Sequence, residues 1–182
     1  MSRIVWLPRA ALMLLIVSVS INVLQARRIT SFVNPKSPPV APLGARATPI
    51  DGTSVTGEPV RLTFDDGRPT VLYFFSTRCA WCEQNWANIR PLAQAAGERF
   101  RFVAVTAEVD VRDFVEMRSL DLEVIQGISE QALQAFRFGG TPHTVVLSSQ
   151  GAIAREWLGA YSGPVQRQVE EFFGIRLPGL MP

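Results

Sequence analysis

Residues 71–89 read VLYFFSTRCAWCEQNWANI, an uninterrupted apolar run followed by the only two cysteines of the chain and then by a helical pattern. Five consecutive apolar residues, 71–75, are typical of a strand that is buried on both faces. Beyond the cysteines, Trp86 and Ile89 begin an apolar repeat at helical spacing. The stretch therefore predicts a central strand, a short loop, and a helix that begins at the cysteine pair.

The position of Cys79 at the start of this helix predicts a reactive thiol. The first turn of a helix presents unpaired backbone N–H groups and the positive end of the helix dipole, which stabilise a thiolate and lower its pKa. Cys82 lies three residues further on, nearly one turn along the same face, where its sulfur can displace a mixed disulfide. We therefore predict that Cys79 attacks a disulfide and that Cys82 resolves the intermediate.

A CxxC pair has two other common uses, a structural zinc site and a structural disulfide. A structural zinc site needs about four ligands, whereas the chain offers two cysteines and one histidine. A structural disulfide between neighbours this close closes too short a loop to constrain the unfolded chain much. Both alternatives are therefore disfavoured, and we predict no metal at the pair.

The N-terminal region predicts a membrane segment. Residues 10–24 carry no charge, and arginines flank them at positions 3, 9, 27 and 28. The run approaches the lower length limit of a spanning helix, and no clear small-residue cleavage site follows it. We predict an uncleaved signal anchor over residues 1–28, with a cleaved signal peptide as the alternative.

Composition divides the rest of the chain. The first fifty residues hold six of the 18 basic residues and none of the 16 acidic ones, so the basic excess lies at the membrane end and does not indicate nucleic-acid binding. A proline-rich stretch predicts an extended linker over residues 29–49. Residues 50–174 have the length of one ordinary domain, and 175–182 are predicted to be a tail.

The remaining patterns alternate between strands and helices. Strands are predicted at 60–64, 100–106 and 123–126, and helices at 111–120 and 129–136. A hairpin follows, with strands at 144–147 and 153–157 around a turn at 149–151. A final helix begins at Pro164 and ends at Gly174. The order predicts an α/β fold with a mixed sheet flanked by helices.

The order of strand, Cys79-Ala80-Trp81-Cys82, helix, and then Thr141-Pro142 directly before the hairpin resembles the thioredoxin superfamily. The resemblance implies that Pro142 is a cis-proline facing the two cysteines. It also implies that Thr141 presents its backbone to a bound substrate as an added strand.

Four further features resemble the TlpA-like branch of that superfamily: a central helix-strand insert near 110–126, a leading hairpin-like segment at 51–62, the N-terminal anchor, and the proline-rich linker. The resemblance implies a single-pass protein of the bacterial inner membrane whose catalytic domain faces the periplasm. It implies protein disulfide substrates, such as apocytochrome c in cytochrome c maturation, a membrane thiol or electron donor as redox partner, and no cofactor.

The sequence departs from the superfamily pattern at the positions where relatives carry a buried acid. Tyr73 stands where thioredoxins have an aspartate, and Asn85 stands where TlpA-like proteins often have a glutamate. Arg78 replaces a common tryptophan, and Ala87 replaces a proline. These differences leave open the direction of the reaction and the substrate.

Four other residues are candidates for roles at the site. His143, the only histidine, follows Pro142 and is either a packed side chain, a group that transfers protons or tunes a pKa, or a metal ligand. Arg78 either stabilises the Cys79 thiolate or is solvated. Trp81 either contacts substrate or packs on the domain. Glu83 is a candidate base, although an acid in the first turn of a helix usually complements the dipole.

The sequence leaves three competing functions beside the disulfide reductase. An oxidase or isomerase would use the same pair with a much lower Cys79 pKa. A Cu(I) chaperone would use Cys79, Cys82 and His143 as soft ligands. A peroxiredoxin is less well supported because no further cysteine is available to resolve its intermediate.

Overall fold

The computed structural model describes residues 6–33, 42–97 and 99–180. It divides into two compact units, residues 1–38 and 39–182. The first unit contains helix α1, Trp6–Val33, whose described side chains, residues 11–25, are all exposed. Within the described part of the chain, no helix meets the length and hydropathy needed to cross a membrane. The predicted anchor includes residues 1–5, and the predicted linker includes residues 34–41. Both of these stretches lie outside the described residues.

The second unit is built on one seven-stranded mixed sheet, as the sequence predicts. Its strands are β1 Ile50–Ser54, β2 Pro59–Leu62, β3 Thr70–Phe74, β4 Arg101–Val105, β5 Glu123–Gln126, β6 His143–Leu147 and β7 Ile153–Leu158. Its helices are α2 Ala80–Ala96, α3 Arg112–Met117, α4 Glu130–Ala135 and α5 Gly163–Phe173. The predicted elements are all present; α3 is shorter than the predicted 111–120.

The strand order in the sheet is β2-β1-β5-β4-β3-β6-β7. Strand β3 pairs in parallel with β4 and antiparallel with β6, so it lies inside the sheet and all five of its residues are buried. This central position explains the continuous apolar run at 71–75, because a strand covered on both faces has no solvent side.

The predicted insert extends the sheet. Strand β5 pairs in parallel with β4 and antiparallel with β1, which attaches the β1–β2 hairpin to the sheet. A Cβ on Gly52 would lie 2.6 Å from a side-chain carbon of Ile125 and 2.8 Å from the carbonyl oxygen of Gln126. Strand β1 therefore needs glycine at this position to approach β5 so closely.

Two apolar layers cover the sheet. One layer, defined here as the thiol face, packs Tyr73, Phe75, Cys82 and residues of α2, α3 and α5 together. The other layer, the α4 face, contains Leu72, Phe74 and residues of α4. Because side chains of a strand alternate between faces, neighbouring residues of β3 belong to different layers.

The predicted linker and tail both contribute contacts to this unit. Gly44 N donates to Ile153 O at 2.8 Å, and Ala47 N donates to Gly151 O at 2.8 Å, so residues 44–47 lie along the start of β7. At the other end, Leu177 is buried and its N–H donates to Glu170 Oε1 at 2.9 Å. Backbone groups in both segments are thus satisfied by the domain.

Candidate active site

Cys79 is the N-cap residue of α2, and it lies at the edge of the sheet where β3 ends. Its backbone is extended, with φ −89° and ψ 110°, and its Sγ accepts a hydrogen bond from Cys82 N at 3.2 Å. This is the capping position at which a side-chain acceptor satisfies one of the unpaired N–H groups of the first turn. The predicted placement of Cys79 at a helix start is therefore present in the structure.

The loop before β6 brings Thr141 and Pro142 to the same sulfur. The peptide bond between them is cis, and the Thr141 carbonyl oxygen lies 3.3 Å from Cys79 Sγ, from which it accepts a hydrogen bond. Pro142 O in turn accepts from Gly159 N at 2.8 Å, which ties the loop to the end of β7. Residues 62 positions apart in sequence thus form one site with the cysteine.

The two cysteines are free thiols in different environments. Cys79 is partly exposed, whereas Cys82 is fully buried. Partial burial alone would raise the pKa of Cys79, but hydrogen bonds with Cys82 and Thr141 outweigh it and leave that pKa below its ordinary value. Burial, followed by the hydrogen bond to Cys79, raises the pKa of Cys82 to about 12. Cys79 is therefore the better nucleophile at neutral pH.

The two residues that depart from the superfamily pattern contact each other behind Cys82. Asn85 Nδ2 donates to Tyr73 Oη at 3.2 Å, and Asn88 Nδ2 donates to Asn85 Oδ1 at 3.0 Å. Both asparagines are fully buried, and the Tyr73 ring packs edge-on against Trp86 at 5.3 Å. We call Tyr73, Asn85 and Asn88 the buried amide cluster.

Glu108 holds the loop that precedes Cys79 through its carboxylate. Its carboxylate accepts from Ser76 Oγ at 2.5 Å, from Thr77 N at 3.2 Å, and also from the Thr77 hydroxyl. Burial alone would raise the pKa of Glu108, but these hydrogen bonds and the charge of Arg78 outweigh it and lower that pKa. Glu108 lies 31 residues beyond Thr77, so only the fold brings them together.

Arg78, Trp81 and Glu83 all lie near the start of α2, with different surroundings. Arg78 is exposed, and its charge acts on Glu108. Trp81 is 59% exposed, so it does not pack back on the domain. Glu83 forms an ion pair with Arg118, whose Nε donates to Glu83 Oε2 at 3.1 Å.

His143 is buried on the α4 face, away from the thiols. Its ring stacks on Phe74, with 5.7 Å between centroids, and its Nε2 lies 2.8 Å from Glu156 Oε1. Burial lowers the pKa of His143, against the opposing effect of Glu156. The structure therefore agrees with one of the three alternatives for His143, a packed side chain, and does not bring it to the sulfurs, as proton transfer or copper binding there would require.

The reason is the alternation of strand β6. His143 pairs with Phe74 and Thr144 pairs with Tyr73, so the two neighbours face opposite layers. Strand periodicity applied to 142–144 would have predicted this, because the resemblance implies that Pro142 faces the thiols. Among the described residues, no three histidine, cysteine, aspartate or glutamate side chains converge in a way that could hold a metal ion.

A cavity of about 200 Å³ opens beside the cis-proline loop. Thr141, Gly140 and Ser76 form its edge near the active site, and Phe74, Leu133 and Phe138 contribute apolar walls. Thr141, which lines the cavity, also accepts the hydrogen bond from Cys79 Sγ.

The fold and the dithiol define the class: the chain has a thioredoxin-like fold with a CxxC pair at the start of a helix. A curated protein from Haemophilus influenzae named "Thioredoxin-like protein" is 29% identical over 119 residues, which cover 62% of this chain and 69% of that protein. No family model matches the chain. The predicted resemblance to the thioredoxin superfamily is confirmed by the fold and this relative.

Solved structures of other proteins have the same fold as this chain. The thioredoxin domain of a thiol-disulfide oxidoreductase from Bacteroides vulgatus matches with a TM-score of 0.60 and 19% identity, covering 73% of this chain and 99% of that one. A thiol:disulfide interchange protein from Chlorobium tepidum matches with a TM-score of 0.58 and 19% identity, covering 74% and 98%. These likenesses show the fold, and both solved proteins are themselves named for thiol-disulfide exchange.

Proposed function

We propose that the protein is a membrane-tethered thiol-disulfide oxidoreductase that reduces disulfides of specific proteins outside the cytoplasm. One observation carries the chemistry: Cys79 Sγ caps α2, faces the Thr141 carbonyl at 3.3 Å, and has a lowered pKa, whereas Cys82 beside it is buried with a raised pKa. A pair with one activated and one protected thiol suits sequential disulfide exchange.

The reaction proceeds in two exchanges. The Cys79 thiolate attacks one sulfur of the substrate disulfide, forms a mixed disulfide with it, and releases the other substrate sulfur as a thiolate, which takes up a proton. Cys82 then loses its proton and attacks Cys79 Sγ, which forms the Cys79-Cys82 disulfide and releases the second substrate thiol. The substrate gains two electrons and two protons, and the protein is oxidised.

Substrate recognition is assigned to the surface around Cys79. The backbone at Thr141 lies beside the sulfur and offers hydrogen-bonding groups to an extended peptide, in the manner of an added strand. Trp81, two residues after Cys79, supplies an exposed aromatic surface. The cavity edged by Thr141 admits an apolar side chain of the substrate.

The direction of the reaction is proposed as reduction, and the reduction potential of the Cys79-Cys82 pair tests it. We expect a potential close to that of thioredoxin, about −270 mV, rather than that of a strong oxidant near about −120 mV. The measurement is equilibration of the full-length protein with dithiothreitol buffers. A value near the oxidant end would contradict the reductase and favour the oxidase or isomerase.

The membrane tether is proposed from the sequence and from α1. Residues 10–24 are uncharged, and described apolar side chains such as Leu14 and Ile16 are exposed on the helix. The polar residues in the run bond to their own helix: Ser20 Oγ donates to Ile16 O at 2.8 Å, and Asn22 Nδ2 to Ser18 O at 2.9 Å. Such bonds reduce the cost of placing polar side chains in lipid.

We further propose a bacterial inner-membrane location with the domain facing the periplasm, recharging by a membrane thiol donor, and apocytochrome c as a candidate substrate. Cell fractionation tests the tether: the full-length protein should stay in the membrane after a salt wash, and a variant without residues 1–28 should not. Recovery of a soluble product that begins near Arg27 would contradict it. A fused reporter active only in the cytoplasm would contradict the orientation.

A further inference from the structure

The three side chains of the buried amide cluster bond to one another and carry no charge. The Asn85 side-chain oxygen accepts from Asn88 and also from the backbone N–H of Tyr161 at 3.0 Å. The Asn88 side-chain oxygen accepts from Gly179 N at 2.9 Å, so the C-terminal segment completes the cluster. The ionisable member is Tyr73, and burial, followed by the nearby Cys82 charge, raises its pKa well above the ordinary value. A phenol in that state is not a base at neutral pH.

The titratable groups coupled to Tyr73 in this region are the two cysteines and Tyr161. Tyr161 is buried and its hydroxyl shares a hydrogen bond of 2.6 Å with Thr144 Oγ1; burial raises its pKa as well. Burial and the hydrogen bond to Cys79 raise the pKa of Cys82, and hydrogen bonds with Ser76 and Thr141 act against them. Among the described residues, Tyr73 on β3 and Asn85 on α2 are neutral and do not accept a proton from Cys82 at neutral pH.

The acids closest in sequence to the site have other partners. Glu83 pairs with Arg118, and Glu108 holds Ser76 and Thr77. His143 lies in the α4 face beside Phe74. Proton transfer from Cys82 to any of these side chains would require a rearrangement of the contacts that they make.

We propose that Tyr73 and Asn85 form a neutral wall behind Cys82, so that the resolving thiol has no internal base among the described residues and its proton leaves to solvent through the open Cys79 side of the site. This inference rests on the proposed disulfide exchange and specifies its second step. Cys82 is fully buried while Cys79 is partly exposed, so solvent reaches the pair from the Cys79 side.

The proton balance of that step sets its dependence on pH. Hydroxide or water takes the proton of Cys82, the Cys82 sulfur forms a bond with Cys79 Sγ, and the substrate sulfur leaves with the electron pair of the broken disulfide. The rate of resolution is then proportional to the thiolate fraction of Cys82. That fraction increases about tenfold per pH unit up to the Cys82 pKa.

Asn85 is a position at which an internal base can be introduced with little rearrangement. An aspartate there would keep both hydrogen bonds now accepted by the Asn85 oxygen, from Asn88 Nδ2 and Tyr161 N. Its second oxygen would replace Nδ2, and the Tyr73 hydroxyl would become the donor instead of the acceptor. Asn85→Asp therefore leaves every partner satisfied while it adds a carboxylate three residues from Cys82.

The test follows the two steps separately with 5,5′-dithiobis(2-nitrobenzoate) and excess reduced full-length protein in mild detergent. Attack by Cys79 releases the first equivalent of coloured thiolate, and resolution by Cys82 releases the second. For the wild type, we expect the logarithm of the second rate to rise by close to one per pH unit between about pH 6 and 9, without a plateau. Asn85→Asp should flatten this profile and increase the second rate at neutral pH by about tenfold or more.

Two variants serve as controls. Tyr73→Phe removes the hydroxyl without adding a base, and Tyr161→Phe removes a buried hydroxyl that bonds Thr144 instead of the Asn85 side chain. Both should keep the steep wild-type profile. A wild-type plateau below about pH 8 would reveal an internal base and overturn the neutral wall. An unchanged profile in folded Asn85→Asp would also overturn it, whereas failure to release a second equivalent would contradict the proposed function itself.

Discussion

Cys79→Ser is expected to abolish disulfide exchange, with the rate of reduction of a model protein disulfide falling by at least about a thousand-fold to the uncatalysed level. The serine hydroxyl can still cap α2, so the fold is retained, but it is not ionised at neutral pH and is a far weaker nucleophile than a thiolate. The measurement is dithiothreitol-driven reduction of a protein disulfide by the full-length chain.

Alkylation of the wild-type protein supplies the independent check on this role. Because the Cys79 pKa is lowered and the Cys82 pKa is raised to about 12, Cys79 carries much more thiolate at neutral pH. We expect iodoacetamide to modify Cys79 first, at a rate that falls as the pH falls through the Cys79 pKa. Faster modification of Cys82 at neutral pH would show that the two roles are reversed.

Cys82→Ser is expected to lose turnover and to accumulate a mixed disulfide with its substrate, and we call this variant the trap. Attack by Cys79 remains possible, but the mixed disulfide is not resolved, because the serine hydroxyl does not displace the substrate sulfur. We expect a stable adduct, visible by intact mass and by non-reducing electrophoresis, while the wild type shows little. The trapped chains would also identify the natural substrates, apocytochrome c being the proposed candidate.

The matched control for the trap is the double variant Cys79→Ser/Cys82→Ser, which should capture no substrate. Adducts that form equally well in the double variant would be non-specific. If Cys82→Ser turned over a protein disulfide at the wild-type rate with no adduct, another thiol would have to resolve the intermediate. The chain contains no third cysteine, so that thiol would come from a partner.

The buried amide cluster links these kinetic roles to the stability of the domain. Asn85 connects β3, α2 and the segment before α5, because its side chain bonds Tyr73, Asn88 and the Tyr161 backbone. Buried polar groups of this kind cost stability when one partner is removed. The residues of the proposed neutral wall behind Cys82 therefore also stabilise the packing of the thiol face.

Much of the architecture was predictable because it depends on local patterns. The apolar run at 71–75 predicts a buried central strand, and it is β3. The turn at 149–151 predicts the hairpin of β6 and β7, and Gly174 closes α5 with a left-handed φ of 70°. Propensity, periodicity and turn chemistry act over a few residues, so the sequence contains them directly.

Only the part of the site that depends on residues close together in the sequence was predictable from the sequence. The spacing of Cys79 and Cys82 on one helix turn is a property of the sequence, and it predicts the capping sulfur. The contact of Thr141 with Cys79 was expected from a family resemblance, not from spacing, because 62 residues separate them. The exposure of Trp81 also required the structure, since either placement fits the start of a helix.

The sequence by itself determined the order of strands and helices, the reactive pair and its place at a helix start, because these follow from short-range periodicity and capping. The tertiary structure decided which side chains surround the thiols. It placed His143 on the far face through the alternation of β6, brought Glu108 to the loop before Cys79, and joined Tyr73 to Asn85. Those contacts arise from sheet pairing and packing between distant elements, which no local pattern specifies.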